Sequence, residues 1–331
     1  MANFPLLKLP ALALHEVMKM MMPIEIFKLA MCSFQIESFL RHRKYKTDGL
    51  YARLSDLKLQ IASNHSDGGQ AFEFQSTTSH SMEIPVRKLE QLSDRYIRED
   101  DIYMILTHAS LDEMFDIYRI LSDIFHFPFM VWMLHIDQLQ HAQFFRVFRK
   151  IRQTDFTKLK LIDGYLNDEM LTEVLFTLPK LKHLEIDSDI SSNFYHRNPL
   201  KYWNTHFREA RWVRLEHLFL IRYVHTVKLV NTNFDCSDLN KFLRYWVDCD
   251  QFMLRRLEIK LNYRTVYDEA VITDQLTKVP YYDNGCRQIF MKAKKETMGP
   301  SGTLRFVLGR LELQETTVIF TTWNPDVEYS D

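Results

Sequence analysis

The chain has 331 residues, 46% of them hydrophobic and 26% charged, with 42 Lys and Arg against 43 Asp and Glu. That is length enough for one large domain or two ordinary ones, and 24 phenylalanines supply a core that excludes long disorder. A net charge of −1 gives no general drive toward nucleic acid or a membrane surface, and only 8 glycines speak against phosphate-cradling loops.

Cys32, Cys236, Cys249 and Cys286 lie far apart with no CxxC pair, which argues against a cysteine zinc site and fits a reducing compartment. Lys8, His15, Glu16 and Lys19 interrupt any secretory apolar region. The longest strongly apolar run, Phe127 to Leu134, falls far short of the roughly 20 residues a membrane span needs. The expectation is a soluble protein, cytoplasmic or nuclear or both.

The first 45 residues read as short helices. Pro5 and Pro10 hold the approach extended, and Leu14, Val17, Met18 and Met21 then follow the spacing of one helix face. Pro23 stands where a helix can begin, because the N–H it lacks is not needed there. Ile26, Leu29 and Ala30 open the next stripe, and Ile36, Phe39 and Leu40 continue it. The basic run Arg41 to Lys46 reads as a solvated helix end. Residues 57–61 and 72–74 alternate around a turn signal at 63–69 and predict a β-hairpin. Polar residues 75–83 read as an exposed loop and a domain boundary.

From about residue 107 a longer rhythm appears. Ser110 is placed to cap a helix holding Leu111, Met114, Phe115 and Tyr118, and Val131 to Ile136 reads as a buried strand. Phe144, Phe145, Val147 and Phe148 mark a helix, Leu159 to Leu161 a strand, and Leu166 to Leu175 a helix. The segment ending Leu181-Lys182-His183-Leu184-Glu185-Ile186 is followed by an insertion near 188–209, after which Leu215 to Leu220 echoes it. Val227 to Val230 is another strand, 237–247 a helix with Leu239, Phe242, Leu243 and Trp246 on one side, and Leu254 to Ile259 closes the series. The unit is L-x-x-L-x-[IL] with a helix between copies. Ile186 follows Leu161 by 25 residues and Ile259 follows Leu229 by 30, near the about 20–29-residue period of leucine-rich repeats. Such units imply parallel strands with right-handed crossovers. Ile289 to Met291, Leu304 to Leu308 and Val318 to Phe320 then read as antiparallel strands turning at Gly299 to Gly302 and ending at Trp323.

Motifs for chemistry are few. There is no GxGxxG, GxxxxGK[ST], HExxH or GxSxG. His135 and His141 fit no compact metal spacing, and Asp163, Asp187 and Asp189 read as turn or cap residues. Met20 to Met22 read as filler of an apolar contact. No catalytic residue, metal or cofactor is expected, and the N-terminal unit carries more apolar stripe than its length can enclose.

At those residues the chain resembles the F-box. Phe4 to Pro10, with Leu9-Pro10 as the opening Leu-Pro, then Leu14, Val17-Met18, Met21, Pro23, Ile26 and Leu29 match that motif in order and spacing, and Cys32-Ser33 match its small pair. Leu12 and Met22 depart from it, each replacing an acid. The remainder resembles the second type of F-box-associated domain of nematode proteins, most of all in Asp238 to Trp246, Leu254 to Ile259, and Gln288 through Gly302 to Trp323.

The resemblance implies an α+β protein in three parts. These are a three-helix F-box over 1–45, a hairpin and connecting segment over 46–106, and a leucine-rich-repeat-like domain over 107–331 ending in antiparallel strands. It implies a non-catalytic substrate-recognition adaptor of a Skp–cullin–F-box ubiquitin ligase. A Skp-type adaptor, and through it a cullin–RING ligase, would dock on Leu9, Pro10, Leu14, Val17, Met18, Pro23 and Ile26, with Val17 and Ile26 the most internal. The C-terminal domain would hold a target protein, for which loops near Asp163 and Ser191 to Arg197 are candidates. The alternative is a ligase-independent protein-interaction scaffold. Neither reading calls for nucleic acid or a membrane.

Overall fold

A computed structural model describes residues 9–21, 23–46, 50–55, 58–63, 70–75, 96–99, 102–105, 111–127, 129–178, 181–261, 267–283, 286–298, 304–314 and 316–323. The chain divides into two compact units, Met1–Lys158 and Leu159–Asp331. The division falls inside the stretch read from the sequence as one domain starting at residue 107.

The first unit opens with α1 (Ala11–Lys19), α2 (Pro23–Cys32) and α3 (Phe34–Arg43). Pro23 does start α2, and the Ser33 hydroxyl accepts the Ile36 N–H to cap α3. Strands β1 (Tyr45–Lys46), β2 (Leu50–Ser55), β3 (Lys58–Ser63) and β4 (Gln70–Gln75) follow, then the antiparallel pair β5 (Tyr96–Glu99) and β6 (Ile102–Ile105). The expected hairpin is β3 and β4, paired Ile61 to Phe72; its turn lies outside the described residues. Helix α4 (Leu111–Ile124), β7 (Phe125–His126), β8 (Met130–His135) and α5 (His141–Ile151) complete the unit. Strand β8 runs parallel to β2 with Ala52 opposite Trp132, and β1 runs parallel to β7. Phe115 and Tyr118 stack on Trp132 at 5.4 and 4.7 Å, and the Trp132 Nε1 proton goes to Thr154 Oγ1 at 3.1 Å. The period-3.6 pattern of α5 buries Phe144, Val147, Phe148 and Ile151. The Ser110 cap and most of the 75–83 loop lie outside the described residues.

The second unit is built on one large sheet. Its elements are β9 (Lys158–Leu166), α6 (Asp168–Thr177), β10 (His183–Ile190), β11 (Asn204–Phe207), α7 (Leu215–Phe219), β12 (Val224–Thr232), α8 (Cys236–Asp248), β13 (Leu254–Leu261), α9 (Glu269–Ile272), β14 (Lys278–Asp283), β15 (Cys286–Met298), β16 (Leu304–Gln314) and β17 (Thr317–Trp323). The order across the sheet is β14-β15-β16-β17-β13-β12-β11-β10-β9. Strands β10 to β13 are parallel and β13 to β17 antiparallel, so the fold is mixed α/β with an antiparallel C-terminal part.

Alternation along these strands makes two dry rows. Leu184, Thr205, Val227, Leu257 and Phe320 form one; Ile186, Phe207, Leu229, Ile259 and Val318 form the other. The apolar face of α8 (Leu239, Phe242, Leu243, Trp246) lies on them, each side chain contributing about 2 kcal/mol by its burial. Asp235 caps that helix, its carboxylate accepting the Asp238 N–H at 2.8 Å.

Three expectations need correction. Leu215 to Leu220 is no strand: residues 215–219 form α7, because a short run with apolar residues at i, i+3 and i+5 suits either element and here the strand position is taken by β11. That strand lies inside the stretch read as an insertion. Asp187 and Asp189 are strand residues, not caps, and both face the Arg208 guanidinium, at 3.4 and 3.5 Å. No helix among the described residues is long and apolar enough to cross a membrane.

Candidate functional site

In α1, Pro10 offers its carbonyl to the Leu14 N–H at 2.9 Å and sets the helix start. Leu14 and Met18, four residues apart, then point inward, as do Ile26, Phe27 and Ala30 of α2 and Ile36 and Leu40 of α3. Met18 and Leu40 are fully enclosed.

The residues expected to meet an adaptor therefore separate. Leu14, Met18 and Ile26 are buried and offer no surface, which corrects the expectation for Leu14 and Met18 and bears on Ile26 as an internal residue. Pro10 is exposed, Leu9 and Val17 are half-buried, and the Pro23 side chain lies outside the described residues. The apolar groups left in solvent are others: Leu12, Met20 and Phe34 are 71%, 80% and 69% exposed. Sequence periodicity found the stripe but not its complement, since Leu12 falls on the far side of α1 and Met20 and Phe34 sit at helix ends.

Lys19 pairs with Glu16 at 2.8 Å and, through that hydrogen bond, holds its carboxyl below the usual range. His15 Nδ1 meets the Tyr45 hydroxyl at 3.1 Å, and burial raises that phenol above its ordinary value. Arg41 reaches Glu37 at 2.6 Å and Asp123 of α4 at 3.0 Å.

The second unit offers a different surface. On the sheet face opposite the dry rows, Glu185, His206, Lys228 and Glu258 stand in register. Lys160 pairs with Glu185 at 2.7 Å and Lys228 with Glu258 at 2.8 Å, so the face is a ladder of alternating charge. Beside it Trp203, 48% exposed, stacks on His225 at 5.3 Å, and Arg255 donates to His225 Nε2 at 3.0 Å. No spacing in the sequence marks this trio, because parallel register alone brings it together. Asp163, expected at a turn or loop, lies inside β9, exposed and at a positive φ of 57°; in the loop Ser191 to Arg197, Tyr195 is 54% exposed.

An open cleft of about 350 Å³ lies among Arg222, Tyr245, Asp248, Cys249, Asp250 and Gln251. Arg222 is spent on neutral acceptors there, Gln251 Oε1 at 2.7 Å, the Tyr245 hydroxyl at 2.8 Å and the Phe219 and Ile221 carbonyls. The Cys249 thiol donates to the Gln251 carbonyl at 3.5 Å rather than to a base. Nothing in this cleft assembles an activated nucleophile. Comparison with family models, with curated proteins and with solved structures finds no match to the chain.

Proposed function

We propose that this chain is a substrate-recognition adaptor of a Skp–cullin–F-box ubiquitin ligase, with the N-terminal helices docking a Skp-type adaptor and the second unit holding a target protein. The supporting observation is the division of apolar groups in α1 to α3. Leu14, Met18, Ile26, Ile36 and Leu40 are buried, while Leu12, Met20 and Phe34 are 71%, 80% and 69% exposed and Pro10 is exposed as well. Such a protein performs no bond chemistry. It raises the effective concentration of target lysines near a ubiquitin-charged enzyme. The charged sheet face, Trp203 and the loop carrying Tyr195 are candidate surfaces for a target.

Capture of a purified Skp-type adaptor by the full chain tests this. Capture by the native chain and its loss in Leu12→Asp, Met20→Asp and Phe34→Asp is the expected result. No capture by a folded native chain, or capture indifferent to all three changes, overturns it. The scaffold reading has two observations in its favour: the Arg41–Asp123 ion pair and the pairing of β1 with β7 tie the helices into the rest of their own unit. A native chain that stays monodisperse, binds no adaptor and aggregates when residues 1–45 are deleted supports that alternative.

A further inference from the structure

Residues 191–203 connect β10 to β11; Phe194 and Tyr195 are held by contacts to residues 212–217, while Lys201 and Tyr202 bond to the Leu175 carbonyl at 2.7 and 3.2 Å. Phe194 meets Trp212 edge-on at 5.1 Å, Tyr195 lies against His217 at 5.6 Å, and the Arg214 guanidinium lies over the Tyr195 ring at 5.2 Å. His217 is 1% exposed. Its Nδ1 accepts the Arg214 backbone N–H at 3.0 Å, the bond that closes the start of α7. The ring proton therefore sits on Nε2, which is buried and without a partner among the described residues.

We propose that residues 191–203 form an acid-released strap, latched by neutral His217 and freed when that ring takes a second proton. A proton on Nδ1 would point at the Arg214 N–H, donor against donor, and break the turn. The new charge would be enclosed by Tyr195 and Trp212, neither of which can neutralise it. The charged groups around it pull in both directions. Arg214 precedes α7 and repels it, and His196 on the strap does the same, with Lys201 behind His196. Glu216 on α7 is the one acid that attracts it, but it is shared with Arg214 at 4.0 Å. Glu209 is committed to Arg211 by two bonds of 2.6 and 3.0 Å. Burial above all, opposed by the Glu216 carboxylate and assisted by Arg214 and His196, holds His217 below the ordinary histidine range. Protonation is thus relieved only by lifting the strap, which uncovers Phe194 and Trp212, 2% and 0% exposed when it is closed. The device does not depend on the ligase reading.

Amide exchange of the full chain at pH about 7.5 and about 5, corrected for intrinsic rates, tests it. Protection of 191–203 and 214–219 should fall by up to about tenfold per pH unit from the ordinary histidine value of 6.5 down to the lowered value of the closed state, while α8 keeps its protection. Glutamine retains an acceptor for the Arg214 N–H without taking a proton, so His217→Gln should abolish the pH response and His196→Gln should retain it. Equal strap protection at both pH values, an undiminished response in H217Q, or loss shared equally by α8 overturns the proposal. Should H217Q fail to fold, imidazole NMR of the native chain decides. A His217 titration below the ordinary value, matched by the strap amides, supports the latch, and one at or above that value overturns it.

Discussion

Trp246 and Phe320 meet edge to face with ring centroids 4.9 Å apart, over a backbone position that has no side chain, Gly309. A Cβ there would stand 2.6 Å from the Phe320 ring and 2.9 Å from the Trp246 ring. Both rings are at most 1% exposed, so neither can swing into solvent. Gly309→Ala should cost about 1–3 kcal/mol as overpacking. Urea unfolding read as a shift in midpoint at constant slope checks this, and an unchanged midpoint contradicts the packing described.

Asn240 stands on the buried side of α8 and sends its Nδ2 protons to the carbonyls of Ile272 at 3.0 Å and Asp274 at 2.8 Å. It thereby fixes α9 and the turn after it to α8. Removing the amide leaves two carbonyls short of a donor, and Asn240→Ala should destabilise by about 1–3 kcal/mol. Asn240→Asp should do worse, since a carboxylate cannot donate. Thermal unfolding of the two variants gives the ranking.

The N-terminal helices should separate stability from docking. Met18→Ala opens a void in a fully buried site and should cost about 2–5 kcal/mol. Leu12→Asp and Phe34→Asp change exposed positions and should stay within about 0.5 kcal/mol of the native chain. Circular dichroism melts of the three proteins test this; a collapse in Phe34→Asp comparable with that of Met18→Ala would show Phe34 to be part of the interior.

High pH should unfold the protein from within. Burial holds the Tyr118 and Tyr202 phenols well above their ordinary value of 10.0. Above that value the unfolded chain gives up these protons while the folded chain keeps them, so the unfolded state binds fewer protons and stability falls as pH rises. Below it the term vanishes. Tyrosinate absorbance should lag the ordinary titration for two phenols and then appear together with loss of structure. Tyr202→Phe, which gives up one bond to the Leu175 carbonyl at 3.2 Å, should weaken that lag.

What the amino-acid order determined by itself was the type of most strongly periodic elements. The spacing of Leu239, Phe242, Leu243 and Trp246 can bury one side only as a helix, and the alternation through Leu257 and Ile259 only as a strand, because 3.6 and 2 are the periods the backbone allows. Local rules likewise put Pro23 at a helix start and marked Val318 to Phe320, within β17, as a strand. They failed where a run was too short to carry a period, reading Leu215 to Leu220 as a strand and passing over β11, whose Asn204 to Phe207 hold two apolar-facing positions. Tertiary packing alone decided which oily residues of α1 to α3 stay in solvent, and it alone set Trp203, His225 and Arg255 side by side and pressed Tyr195 onto His217. The last two depend on contacts between residues 22 or more apart in the chain. They are fixed by strand register and helix docking, which no local pattern of side chains encodes.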